Sequence, residues 1–151
     1  MATFSSVEEL KAAVGTHIGT GDWLEIDQKR IDTFADATGD HQWIHVDPER
    51  AKEGPFGKPI AHGFLTLSLN PILCKSAYEV REVKMGVNYG LNKVRFTNPV
   101  PVDSRVRGSY ELVSVEDVKG GGVQLTVKAT IELEGSERPA AVAETVVRYF
   151  F

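Results

Sequence analysis

The spacing of apolar residues changes near Tyr78: upstream it follows a helical period, and downstream it alternates. Ser6 to Val14 predicts a short helix, with Ser6 as its cap, Glu8 and Glu9 in the first turn, and Gly15 just beyond the end. Trp23, Leu24 and Ile26 predict a strand. A second helix is expected over Gln28 to Thr38, capped by Asp27 and ended by Gly39, with Ile31, Phe34, Ala35 and Thr38 on one face. Asp47-Pro48-Glu49 opens a third, short helix, since proline suits a first helical turn and an acid suits its dipole. Residues 54–59, Gly-Pro-Phe-Gly-Lys-Pro, read as a loop.

From Gly63 the chain becomes strongly apolar. Phe64, Leu65, Leu67, Leu69, Ile72 and Leu73 cover most of a helix circumference, which implies burial on nearly all sides. Pro71 must kink that helix or cut it short. Beyond it, Met85, Val87 and Tyr89 share one parity, as do Val94 and Phe96. Val106, Tyr110 and Leu112, then Val123, Leu125 and Val127, then Ile131 and Leu133, and finally Val142, Val146 and Val147 continue the strand pattern, with Gly120-Gly121-Gly122 as a hairpin turn. The sum is an amphipathic antiparallel sheet plus one very apolar helix. The compact solution wraps the sheet around the helix, an α+β arrangement.

Composition narrows the function classes. The 151 residues suit a single domain, 1–151. Lys plus Arg is 17 against 21 Asp plus Glu, a net charge of −4. That balance argues against a general nucleic-acid or anionic-membrane binder but permits a local basic groove. Cys74 is the one cysteine, so an intrachain disulfide is impossible and a reducing compartment fits. The stretch MATFSSVEELKAAVG lacks a signal-peptide layout, and no apolar run approaches the roughly 18 residues of a membrane span. The expectation is a cytoplasmic protein without membrane insertion.

Candidate chemistry concentrates between Ala37 and Pro48. Asp40 and His45 lie between two predicted helices, where a carboxylate and an imidazole can hold and deprotonate one water. Ile60-Ala61-His62-Gly63 follows. Gly63 heads the apolar helix, so its N–H has no partner within the helix and can meet a ligand oxyanion. His41 and His45 have zinc-protease spacing, but Gln42 replaces the glutamate base and Asp47-Pro48 begins a new helix, so no metal is expected. Cys74 has no adjacent base and reads as a small buried hydrophobe.

Gly39-Asp40, Ile44-His45-Val46-Asp47-Pro48 with Ala51, and Ile60-Ala61-His62-Gly63 together resemble the R-specific enoyl-CoA hydratases of the MaoC-like family, in particular its short mycobacterial-type members. The similarity runs through nearly the whole chain, including Asn88 to Phe96. It implies a hot-dog fold, a curved antiparallel sheet around a long central helix. It also implies Asp40 and His45 as the catalytic pair and Gly63 as the oxyanion donor. The implied substrate is a trans-2-enoyl thioester of coenzyme A, hydrated reversibly to the (R)-3-hydroxyacyl thioester without a metal or redox cofactor. The family often carries Asn-Pro where this chain has Gln42-Trp43, and some relatives carry a serine near Leu69-Asn70-Pro71.

Further residues admit two readings each. Ile60, Phe64 and Leu65 can line an acyl pocket or pack a core, with Ala61 beside them; His62 can bind substrate, or support the loop and pack near the pocket. Asn88 and Tyr89, flanked by Gly86 and Gly90, can approach the ligand, or the glycines can serve as bends of the sheet. Arg95, with Lys84, Lys93, Arg105 and Arg107, can hold the coenzyme A phosphates or form a solvated strand face. The same residues would serve a 3-hydroxyacyl-thioester dehydratase running in the opposite direction. A non-catalytic acyl-thioester binding subunit and a hot-dog thioesterase are the other candidates. A chain of this length is expected to pair as a homodimer with the acyl pocket near the subunit interface.

Overall fold

The computed structural model describes residues 1–151. Its elements run β1 (Ala2–Phe4), α1 (Val7–Ala12), β2 (His17–Thr20), β3 (Leu24–Ile26), α2 (Gln28–Thr38), α3 (Trp43–Val46), α4 (Pro48–Lys52), α5 (Gly63–Ser68), α6 (Asn70–Cys74), β4 (Tyr78–Val80), β5 (Met85–Arg95), β6 (Ser104–Val118), β7 (Gly122–Leu133) and β8 (Ala141–Phe150).

Local chemistry sets the helix ends. The Ser6 hydroxyl accepts the Glu9 N–H at 3.2 Å, the Asp27 carboxylate accepts the Arg30 N–H at 2.9 Å, and Asp47 accepts the Arg50 N–H at 3.1 Å. Gly39 closes α2 in the left-handed conformation at φ 79°, which releases the chain toward Asp40. The apolar stripe of α2 buries Ile31 and Ala35 completely.

Five strands form the path β2-β6-β7-β8-β5, and β3 pairs with β6 beyond the end of β2. The β6–β7 and β7–β8 ladders are antiparallel and long, joined at the first corner by Gly120 and Gly121 with φ of 91° and 80°. One sheet face presents Val106, Tyr110, Leu112, Leu125, Val127 and Ile131, all 1% exposed or less, to the helices. Leu65, Leu69 and Leu73 of the apolar segment pack with Val106 and Ile131 in the core nearest the site. Tyr110 donates from its hydroxyl to Asn70 Oδ1 at 3.0 Å, tying α6 to β6. This is the expected hot-dog arrangement of sheet around helix.

Two features differ from expectation, and the choice left open at Pro71 is resolved. Upstream of Tyr78 the chain holds β1 and β2 as well as the expected strand, both too short for alternation to reveal; β1 pairs in parallel with β4. The central helix is two pieces, because the turn at Leu69 allows Pro71 to sit in the first turn of α6 rather than inside a continuous ladder. Finally, β5 does not bury its apolar parity. It is the sheet edge, and Met85, Val87, Tyr89 and Leu91 stay 53%, 38%, 58% and 46% exposed.

Because α2 carries the chain into the candidate site, its cap is a test of the local reading. Asp27→Ala is expected to cost about 1 kcal/mol in chemical denaturation.

Candidate active site

Asp40 follows Gly39 directly, and its Oδ1 meets the Gln42 N–H at 3.4 Å, too long to be a firm turn contact. The Asp40 side chain is exposed, so its carboxylate remains available. His45 lies in the single turn of α3 and is only 7% exposed. Its Nδ1–H donates to the Ile60 carbonyl at 2.6 Å, which leaves a lone pair on Nε2. The Gln28 amide donates to the His45 carbonyl at 2.8 Å and to Asp32 at 2.9 Å, holding α3 against the start of α2.

The 60–63 segment supplies the opposite wall. Ile60 N–H donates to the Ile44 carbonyl at 3.0 Å, and Ala61 N–H donates to the Val100 carbonyl at 2.8 Å. Ile60 and Ala61 are buried at 8% and 5%, so their side chains pack the core while the Ile60 carbonyl orients His45. His62, 3% exposed, donates from Nε2 to the Asp40 carbonyl at 2.9 Å. Gly63 begins α5, and its N–H precedes the first bond of the helix ladder, which runs from Thr66 N–H to the His62 carbonyl. A Cβ on Gly63 would come within 2.8 Å of the Phe96 ring. That close approach explains glycine there. Phe96 in turn meets Phe64 edge-on at 5.7 Å, and both rings are exposed, at 45% and 68%.

Asp40, His45, Gly63 and the Ile60–His62 wall are thus brought together. Gly86 and Asn88 are not. They lie toward the far end of β5, roughly 26–33 Å along the strand from Phe96. Arg95 is exposed and donates to the Val94 carbonyl at 2.7 Å. Arg105 and Arg107 are already engaged, Arg105 with Glu134 at 2.6 Å and Arg107 with Glu132, while Trp23 stacks under the Arg107 guanidinium. Leu65 lines an open cleft of about 480 Å³ with Phe34 and Ala37, rimmed by Asp27, Lys29, Arg30 and Thr33.

Sequence reading missed the parts played by Gln28, Phe34 and Phe96. Each looked like an ordinary member of a helix face or strand, and only the packing of α2 and β5 on the 60–63 segment gives them a task. Trp43 is a further surprise. Its ring fills the space a Cβ on Gly54 would need, at 2.8 Å, and lies 4.4 Å from the Arg50 guanidinium. Trp43 thereby packs the start of α3 against α4 and Gly54.

Burial pushes the His45 imidazole below its ordinary 6.5, helped by the neighbouring His62, while the Ile60 hydrogen bond and Asp40 oppose the shift. His41 instead turns outward to Asp36 at 2.9 Å, which raises its pKa and removes it from the site. Burial pushes the Cys74 thiol up, which suits a structural residue. Asp40, His45 and His62 each offer a ligand atom within 4.8 Å of the others. The two imidazoles are stacked at 3.8 Å and 24°, so their ring planes are nearly parallel, which disfavours aiming both in-plane lone pairs at one ion.

Residues 9–133 match the MaoC like domain family. The chain is 60% identical over 149 residues, 99% of both chains, to the Mycobacterium tuberculosis protein named 3-hydroxyacyl-thioester dehydratase Z. The structure resembles that of a monoamine oxidase regulatory protein from Archaeoglobus fulgius, with a TM-score of 0.78 and 28% identity over 99% of this chain and 97% of that one. It also resembles an (R)-hydratase from A. caviae involved in PHA biosynthesis, with a TM-score of 0.69 and 24% identity over 89% of this chain and 94% of that one.

The buried neutral imidazole makes a pH prediction. The unfolded chain takes a proton on His45 near 6.5, whereas the folded chain resists it until a lower pH. Stability therefore declines as pH falls from 6.5 through the lowered folded value. Titration of the His45 ring by NMR should give a midpoint below 6.5, and His45→Gln should flatten that part of the stability profile.

Proposed function

The chain belongs to the MaoC like domain family of hydratases and dehydratases, and from that premise we propose that it interconverts (R)-3-hydroxyacyl and trans-2-enoyl thioesters, acting as a 3-hydroxyacyl-thioester dehydratase. Enoyl-CoA hydration, the direction suggested first by the motif, is the same reaction reversed. The name of the relative at 60% identity favours dehydration as the working direction.

The observation that carries the reading is the clustering of Asp40, His45 and His62, whose polar side-chain atoms lie within 4.8 Å of one another, next to Gly63 at the start of α5. In the hydration direction, Asp40 and His45 hold a water and take its proton as its oxygen bonds to the β carbon. The carbon–carbon π pair shifts toward the thioester carbonyl, and the Gly63 N–H stabilises the enolate oxygen. The captured proton then goes to the α carbon on the same face. Dehydration retraces these steps and releases water. No electrons leave the substrate, so the chemistry calls for no redox cofactor; coenzyme A enters as part of the substrate. The six-residue α5 supplies little dipole, which leaves the Gly63 hydrogen bond as the main stabilising contact.

A second copy of the chain completes this reading. The edge strand β5 offers unpaired backbone beside exposed Met85, Tyr89 and Leu91, and Phe64 and Phe96 continue the apolar strip to Gly63. A long apolar edge of this kind invites pairing with another strand. A homodimer through β5 would cover it and set the active site near the subunit boundary.

Turnover should appear as loss of enoyl absorbance with crotonyl-CoA and as its gain with (R)-3-hydroxybutyryl-CoA, with carrier-protein thioesters assayed beside both. Asp40→Asn and His45→Gln should each lower kcat by roughly a hundred- to ten-thousandfold. Unchanged rates in both variants would remove the mechanism. Thiol release without hydration would place the protein among thioesterases, and silence with every chain length and carrier would leave a binding subunit. Light scattering at micromolar concentration should give a dimer; a monomer would count against pairing through β5.

A further inference from the structure

We propose that His62 is the positioning residue that sets Asp40 and His45 in one reactive geometry; the inference rests on the dehydratase reading above. The tautomer of His62 follows from its partner. A carbonyl can only accept, so Nε2, 2.9 Å from the Asp40 carbonyl, carries the proton and Nδ1 is bare. That Nδ1 is buried and meets no donor of the protein. The ring has aromatic neighbours on two sides: His45 stacks on it at 3.8 Å and 24°, and Phe34 packs at 4.9 Å and 53°.

These contacts link the two reacting side chains. His62 grips the backbone of Asp40, while its ring face limits how far the His45 imidazole can swing about its bond to the Ile60 carbonyl. Asp40 would otherwise hang from a glycine in an exposed loop, with only the long Gln42 contact to orient it. His62 also immediately precedes Gly63, so the oxyanion donor and the brace for the catalytic pair are adjacent in the chain. Its side chain, 3% exposed, faces these residues, which favours the loop-supporting reading of His62 over substrate binding.

Two substitutions separate its contributions. His62→Gln can place an amide N–H where Nε2 lies but loses the stacked ring. His62→Phe keeps a ring between Phe34 and His45 but loses the donor. If the tie to Asp40 governs catalysis, His62→Phe should lower kcat about 10- to 100-fold with KM within about twofold, because small misplacement of reacting groups is costly. His62→Gln should stay within about threefold of the parent rate. Parent-like rates in both folded variants would overturn the proposal, while a larger loss in His62→Gln than in His62→Phe would assign the positioning to the ring stacked on His45.

A third measurement needs neither variant nor activity. Nitrogen-15 NMR of the parent protein should show His62 protonated on Nε2 and His45 on Nδ1. The opposite tautomer at His62 would overturn the proposal even if the enzyme is active. Absence of turnover in the parent with every thioester would instead sink the dehydratase reading, leaving the tautomer result to decide whether His62 braces Asp40.

Discussion

The hydrogen bond from His45 Nδ1 to the Ile60 carbonyl is the constraint on which the site depends. It buries an imidazole at the margin of the core, fixes which nitrogen carries the proton, and ties α3 to the segment that enters α5. The same segment is tied to the β5–β6 connection through Val100 and to the α2–α3 loop through His62. Its geometry is therefore shared among elements far apart in sequence. A reactive pair placed on loops needs such sharing, because a loop by itself orders its side chains poorly.

The fold explains why this segment can be so firmly held. A helix that is apolar nearly all round must be enclosed, and the sheet encloses it with the faces of β6, β7 and β8. Where the helix begins, at Gly63, the chain is only partly buried, and the N–H there precedes the first bond of the helix ladder. The cost of this arrangement falls at β5, which borders the sheet and retains an apolar strip that the chain itself leaves uncovered. Enclosing the helix and exposing β5 are two consequences of one topology.

Sequence reading succeeded where structure is written by near neighbours. Asp27 and Gly39 bracket α2 as expected because capping needs only residues within a turn. The Gly120–Gly121 corner was legible for a similar reason: its positive φ angles suit glycine whatever surrounds it. The motif residues Asp40, His45 and Gly63 were visible through spacing and through resemblance to a family. Reading failed for β1 and β2, whose few residues carry no periodic signal. It also failed for the direction of β5, since alternation reports that one parity is apolar without saying what that parity faces.

Residue types, caps and the apolar run near Gly63 were enough to specify helices, strands and a candidate carboxylate–imidazole pair, because these rest on local sterics and on the chemistry of single side chains. Tertiary contacts assigned the tasks. Packing turned Ile60 and Ala61 inward and made the Ile60 carbonyl an anchor. It put Phe34 and His45 against His62, brought Phe96 over Gly63, gave Arg105 and Arg107 to glutamates of the sheet, and left Gly86 and Asn88 far from the dyad. Each of these outcomes joins residues distant in the chain, and such meetings follow from how the layers pack, which no local pattern encodes.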